Sequence, residues 1–405
     1  MSNEQEEAAF LARYEKLNPA QKTAVDAVYG PVMVIAGPGT GKTEVLSMRI
    51  AQLLRSEAQV QPHEILCLTY TDEATHAMRR RLVQIIGPAA HKVQIFTFHG
   101  FCNTVIQSFP EHFGKGNMQP ISDLERIETL HEIIDKLPPG NPLRRLSGEI
   151  YFDTKRLNEL FNFMKKEAKT SKEISDAIDL YIASLPNNPE YQYKRKYKDF
   201  QAGDVKKELL DSEVKRMEQT RAAANLFDVY LEKLKEAGRY DFTDMILWVL
   251  RAFKEAPAIL QQYQERFQFI LVDEFQDTNG AQSELLYELT KFWDDPNLFV
   301  VGDDDQSIYE FQGARVKNII EFYERFKEHI EVIVLTDNYR SSQAILDMAT
   351  SSINNNQQRL IRQVESLKLN KDIVAKNPRF ADGKDNIRPR IKQYPNLLHE
   401  QADIV

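Results

Sequence analysis

A glycine-rich run, Gly37-Pro38-Gly39-Thr40-Gly41-Lys42-Thr43, leaves this chain few folds to choose from. It follows an apolar, branched segment at 32–36 and precedes a helical pattern at 44–54. Glycines let a backbone wrap an anion so that successive N–H groups and the start of a helix face it. Gly37, Gly39, Thr40 and Gly41 are therefore candidate phosphate-cradling residues, with Lys42 as the cation for the β- and γ-phosphates and Thr43 as a ligand for Mg²⁺. Ala36 stands where the strict pattern has glycine, and it is small enough to keep the turn. The chemistry points to ATP or GTP.

Apolar runs rich in branched residues recur at 32–36, 65–69, 93–97, 269–273, 298–302 and 332–335, with helical patterns between them. Such alternation predicts an α/β fold with a parallel, doubly wound sheet. Nothing strand-like of the same quality lies between about 109 and 267, which predicts an inserted helical domain. Amphipathic patterns fill that gap at 123–137, 154–169, 171–184 and 205–235, separated by breakers at Pro138-Pro139-Gly140 and Pro186-Asn187-Asn188-Pro189.

The run at 269–272 delivers Asp273-Glu274 at its C-terminal end, where open α/β sheets place ligands. Two adjacent carboxylates there can divide the labour of phosphoryl transfer, with Asp273 expected to hold Mg²⁺ through water and Glu274 to orient and deprotonate the attacking water.

At 405 residues the chain predicts two or three domains. A net charge of −8 argues against a basic module that coats nucleic acid by charge alone, so any DNA contact must come from local patches. One candidate is Tyr193-Lys194-Arg195-Lys196-Tyr197-Lys198, where cations interleave with rings; a solvated helix face is the other reading. No run of about 18 apolar residues occurs and the first ten residues carry acids, so neither membrane span nor signal peptide is expected and the cytoplasm is the expected location. Cys67 and Cys102 read as buried free thiols.

At these residues the sequence resembles the UvrD/Rep family of superfamily 1 helicases, and the resemblance runs in order along nearly the whole chain. Leu17-Asn18-Pro19-Ala20-Gln21 is similar to the family's Q motif, which implies that Gln21 reads adenine and favours ATP. Leu68-Thr69-Tyr70-Thr71-Asp72-Glu73-Ala74 resembles the first DNA-contacting motif, with Tyr70 and Thr71 as contacts, and Thr97-Phe98-His99-Gly100-Phe101 the next, with Thr97 and His99. Asp241-Phe242-Thr243-Asp244-Met245 resembles the segment leading back into the first motor domain, and the stretch from Asp273 to Thr278 resembles motif II.

The stretch from Gly302 to Ala314 resembles motif III, implying that Gln306 senses the γ-phosphate while Tyr309 and Phe311 stack on bases. Thr336-Asp337-Asn338-Tyr339-Arg340-Ser341 resembles motif IV, implying that Tyr339 stacks on adenine and Arg340 reaches the γ-phosphate. The family's fold is then the expectation: a RecA-like P-loop NTPase sheet from 1–110 and 225–335, a helical insertion at 111–224, and the start of a second RecA-like domain at 336–405. The expected activity is ATP- and Mg²⁺-dependent translocation on single-stranded DNA, 3′ to 5′, with separation of strands at single/double-strand junctions.

Three positions depart from the commonest family pattern. Gln312 stands where an arginine is frequent, Glu44 where a basic residue is frequent, and Asp72-Glu73 where an amide and a lysine are usual. No later helicase motif follows 341, from which little or no unwinding by these residues alone is expected. Two other readings stay open: a nucleotide-gated DNA-binding scaffold without turnover, and the motor half of a helicase-nuclease.

Overall fold

In the computed structural model the described residues are 3–56, 60–113, 118–144, 148–198, 200–307, 316–357, 359–364, 369–380, 390 and 392–404. The expected branched runs form β1 (Val32–Ala36), β2 (Ile65–Thr69) and β3 (Gln94–Thr97). A two-residue pair, β4 (Gln119–Pro120) and β5 (Arg239–Tyr240), falls in the stretch between about 109 and 267 where no strand of the quality of the others is expected. Then follow β6 (Phe269–Val272), β7 (Leu298–Gly302), β8 (Glu331–Leu335), and the short β9 (Asp337–Asn338) and β10 (Val374–Ala375).

Six of these make one sheet in the order β3-β2-β6-β7-β1-β8, all pairs parallel. The four central strands are buried throughout, as parallel strands covered on both faces must be, and the edge strands β3 and β8 are only partly buried. β1 lies between β7 and β8, and β6 lies between β2 and β7. The phosphate loop leaves the end of β1 and the paired acids leave the end of β6, with β7 between them, so the sheet order alone gathers three motif-bearing strand ends.

Two compact units emerge. One comprises Met1–Thr97, Tyr263–Thr278 and Thr290–Val405; the other comprises Phe98–Gln262 and Asn279–Leu289. These limits do not follow the sequence boundaries at 110 and 225. The helices Phe98–Ser108 and Phe242–Glu255 pack against each other, and their buried residues include Phe98, Phe101, Cys102 and Val105 in the first and Ile246, Val249 and Phe253 in the second, so both group with the helical segment. Residues 336–405 group with the sheet-bearing unit.

The first unit's core joins the sheet to its helices through Val34, Leu46, Ile50, Cys67, Leu82 and Leu271. The second has its own core, with Leu130, Ile134, Phe161, Met164, Phe227 and Tyr230 drawn from helices Asp123–Asp135, Thr154–Lys166 and Phe227–Glu236. The expected single helix at 205–235 is two, Lys207–Ala224 and Phe227–Glu236, because a break at Asn225 lets Phe227, Tyr230 and Leu234 turn into that core. Lys165 is buried there against Asp241 and Asp244, at 2.7 Å from each. Cys67 and Cys102 are buried free thiols. No described helix is long and apolar enough to cross a membrane.

Candidate nucleotide-binding site

The phosphate loop forms because its glycines accept backbone angles that other residues resist. Gly39 and Gly41 have φ of +76° and +94°, and Gly41 opens the helix Lys42–Arg55. Thr40 is buried and its Oγ1 donates to the Gly37 carbonyl at 2.7 Å, closing the loop on itself. The helix is anchored below by Val45, Leu46, Met48 and Ile50, so Lys42 and Thr43 sit on a rigid first turn.

From Lys42 a line of contacts crosses the ends of β6 and β7. Lys42 Nζ pairs with Glu274 Oε2 at 2.6 Å; Gln276 Nε2 donates to the same oxygen at 2.8 Å; Gln276 Oε1 accepts the Asp303 N–H at 3.0 Å; and Gln306 Nε2 donates to Asp303 Oδ2 at 2.8 Å. Four of the sequence-derived site residues are therefore joined: Lys42, Glu274 and Asp273 directly, and Gln306 to Glu274 through Asp303 and Gln276. Glu274 has φ +47°, a left-handed conformation unusual for a residue with a side chain, which costs on the order of 1 kcal/mol and aims the carboxylate at Lys42.

The neighbouring Asp273 is 6% exposed, and burial first, then the charge of Glu274, pushes its carboxyl up to about 6. Its Oδ1 accepts the Glu274 N–H at 3.0 Å. Asp277 is likewise pushed up to about 6 by burial and by Glu274, and its Oδ1 is buried without a hydrogen-bond partner among the described residues. These carboxylates carry more negative charge than Lys42 offsets, and a hard divalent cation fits that surplus.

The side facing the loop is built by residues 337–341. Asn338 is fully buried; its Nδ2 donates to the Pro38 carbonyl, and its Oδ1 accepts the N–H groups of Arg340 and Ser341 at 2.8 and 2.7 Å. Tyr339 N donates to the Gly39 carbonyl at 2.9 Å. A Cβ on Gly39 would come within 2.6 Å of Arg340 Cβ, and one on Gly37 within 2.7 Å of Ile373 Cδ1, so both glycines are also needed for close approach. Asn18 Nδ2 donates to the Tyr339 hydroxyl at 3.1 Å and to Asp337 at 3.0 Å.

Gln21 completes this corner. It forms a capping box with Asn18 on the helix Pro19–Asp26, and its Nε2 donates to the Thr40 carbonyl at 2.9 Å. The amide thus ties the helix Pro19–Asp26 to the phosphate loop.

The nucleic-acid candidates divide. Tyr70 is 40% exposed at the end of β2, and Thr71 caps the helix Asp72–Ile86 by accepting the Ala74 N–H at 3.1 Å. Thr97 ends β3 in the same unit, whereas His99 lies in the other, where burial lowers its pKa against the opposing pull of Asp241. Tyr309, Phe311 and Gln312 lie outside the described residues. Two departures from the family pattern gain a local account. Glu44 pairs with Arg13 and Arg81, each at 3.3 Å, and Asp72 and Glu73 occupy the first turn of a helix, where acids are favoured.

Sequence reasoning passed over three groups that the structure makes central. Gln276 bridges the strand ends and Asn338 ties the loop to residues 340–341; both lay inside motifs already quoted, and each is an amide flanked by more conspicuous charges. The third is a clamp on the acidic run 303–305. Lys371 Nζ lies 3.1, 2.6 and 2.8 Å from Asp303, Asp304 and Asp305, and Arg359 Nε donates to Asp305 at 2.7 Å with Nη2 at 2.8 Å. The Leu360 N–H adds a bond to Asp304 at 2.8 Å. Nothing in the polar stretch around 359–371 signals this from sequence.

A parallel sheet with a phosphate loop after one strand and paired acids after another defines a P-loop nucleoside-triphosphatase fold of the RecA-like kind. Within that class the chain belongs to the UvrD/REP helicase N-terminal domain family, whose model matches residues 17–327. Its relatives include the ATP-dependent DNA helicase PcrA of Bacillus subtilis, 33% identical over 344 residues that cover 85% of this chain and 40% of that protein. The proteins of the same name from Staphylococcus aureus and Staphylococcus epidermidis are each 32% identical, covering 85% and 86% of this chain and 40% and 41% of their own length. The chain thus spans about 40% of the length of these curated relatives.

Proposed function

We propose that the chain is the ATP-binding part of a DNA helicase that moves along single-stranded DNA from 3′ to 5′ and opens single/double-strand junctions. The observation that carries this reading is the line from Lys42 through Glu274, Gln276 and Asp303 to Gln306, which links the phosphate loop to the end of the neighbouring strand. Family membership and the helicase relatives support it.

In this reading residues 1–110 and 225–335 supply the first motor domain, 111–224 the insertion, and 336–405 the opening of a second. Gly37, Gly39, Thr40 and Gly41 cradle the phosphates, Tyr339 stacks on adenine and Gln21 reads its edge. Thr43 and Asp273 hold Mg²⁺, which supplies charge neutralisation at the phosphates when bound.

The phosphates compete with Glu274 for Lys42. Once Lys42 turns to the β- and γ-phosphates, Glu274 is released to orient the attacking water and take its proton. Gln306 and Arg340 sense the γ-phosphate, and Gln276 passes a displacement of Glu274 to the backbone of Asp303. Tyr70, Thr71, Thr97, His99, Tyr309 and Phe311 are the proposed DNA contacts.

Direction is tested by streptavidin displacement from biotinylated single strands, using the full product of the gene that encodes this chain. ATP-dependent displacement from the 5′ end and not from the 3′ end is expected; displacement from the 3′ end alone would refute the assigned polarity.

A further inference from the structure

The basic and aromatic run at 193–198 is not a helix face. It lies in a small antiparallel arm of the second unit, held by bridges between Gln192 and Val205 and between Tyr197 and Phe200. Tyr193 N donates to the Asp204 carbonyl and Gly203 N to the Tyr193 carbonyl, both at 2.9 Å. Lys206 N donates to the Tyr191 carbonyl at 2.8 Å, and Tyr197 and Phe200 exchange two backbone bonds of 3.0 Å. The arm is therefore ordered before any partner arrives.

Three rings line it. Tyr193 stacks on Phe200 with centroids 4.8 Å apart and planes at 12°, and on Tyr197 at 6.0 Å and 13°. Tyr197 is 54% exposed and Phe200 40% exposed. Interleaved with them, Lys194, Arg195, Lys196 and Lys198 are all exposed, and none is ion-paired among the described residues. Lys198 Nζ lies 5.4 Å from the Tyr197 ring and Lys206 Nζ 6.0 Å from the Tyr193 ring. The nearby Asp204 is occupied, accepting the Gln201 N–H at 2.6 Å.

Four cations with no ion pair among the described residues stand within five positions on a chain whose net charge is −8. Cations alone suit any polyanion, but exposed ring faces beside them suit one whose bases are unstacked and free to lie on an aromatic surface. A duplex buries its base faces, and an acidic protein segment has none, so either would leave the rings unused. Preorganisation adds to the case, because an arm already fixed by backbone bonds loses little freedom on binding.

We infer that this arm is a contact for single-stranded DNA, separate from the helicase-motif positions. The inference rests on the proposed DNA-motor function and assigns that function a further binding surface. Lys194, Arg195, Lys196 and Lys198 meet phosphates, and the open faces of Tyr197 and Phe200 meet bases.

The test is fluorescence anisotropy of a labelled oligothymidylate bound to the 405-residue chain over a range of salt. One variant replaces Lys194, Arg195, Lys196 and Lys198 with alanine; another carries Tyr197→Ala and Phe200→Ala. Circular dichroism matching the parent controls for folding. Each phosphate-neutralising cation contributes about 0.7 to the slope of log K against log salt on single strands, so the charge variant is expected to bind with a slope shallower by about 2 to 3. The ring variant is expected to bind about tenfold more weakly with little change in slope.

Parent-like binding by both variants would overturn the arm while leaving the motor reading intact. With a labelled duplex as the second probe, variants that lose duplex affinity but keep that for oligothymidylate would overturn the single-strand assignment. A parent chain that binds no oligonucleotide would overturn the arm, while the motor reading stands or falls separately on DNA-stimulated hydrolysis by the full gene product.

Discussion

Glutamine in place of Glu274 is expected to tighten ATP binding by the chain about threefold to tenfold, because it removes a negative charge that competes with the phosphates for Lys42. The same change is expected to lower turnover by the full gene product by about 10²- to 10⁴-fold, the usual contribution of a positioned general base. Alanine in place of Lys42 acts in the opposite sense on binding. It removes charge-assisted bonds to phosphate and leaves Glu274, Asp273 and Asp277 without their nearby cation, so binding falls roughly ten- to a hundredfold. Titration with a fluorescent ATP analogue measures both. If Glu274→Gln weakened binding as Lys42→Ala does, the Lys42–Glu274 pair would be a support of the loop and not a contact that phosphate displaces.

Methionine in place of Lys371 is expected to destabilise the sheet-bearing unit by about 3–5 kcal/mol, since it strands buried carboxylates that were paired. Lys371 is 5% exposed and its three partners are 16% exposed or less, so water cannot replace the lost ammonium. Arg359 remains, but it serves only Asp305 of the three.

The penalty should depend on pH. Burial pushes Asp305 up, but the Arg359 hydrogen bond and Lys371 outweigh it and hold its carboxyl below the usual range, whereas Asp303 is raised by burial despite Lys371. A carboxylate with a depressed pKa contributes stability above its unfolded pKa, and that stability is lost as pH falls through the folded value. Removing Lys371 favours protonation of the run, so the difference between parent and variant is expected to narrow as pH falls below about 4. Urea unfolding at pH 7 and at low pH measures it; equal differences at both would mean that packing, not charge, sets the effect.

Much of this was legible from the chain because local chemistry and global topology agree. The buried strands β1, β2, β6 and β7 are near-continuous apolar runs, and the loop after β1 needs glycine at Gly39 and Gly41 for its backbone angles. What escaped were contacts between residues far apart in sequence. Lys371 reaches its carboxylates across 66 to 68 positions, and Asn338 reaches Pro38 across 300, with no periodicity to announce either. The run at 193–198 stays open in the sequence between a nucleic-acid patch and a helix face because alternating cations and rings satisfy a helix face as well as a hairpin, and its cross-strand backbone bonds decide between them only in three dimensions.

The central claim is that ATP hydrolysis is coupled to DNA. Its most direct test is the rate of ATP hydrolysis by the full gene product with and without single-stranded DNA, alongside Glu274→Gln. Strong stimulation by DNA that disappears in the variant is the expected result. Hydrolysis that ignores DNA, or no hydrolysis despite tight ATP binding, would contradict the motor and leave a nucleotide-gated DNA-binding scaffold in its place.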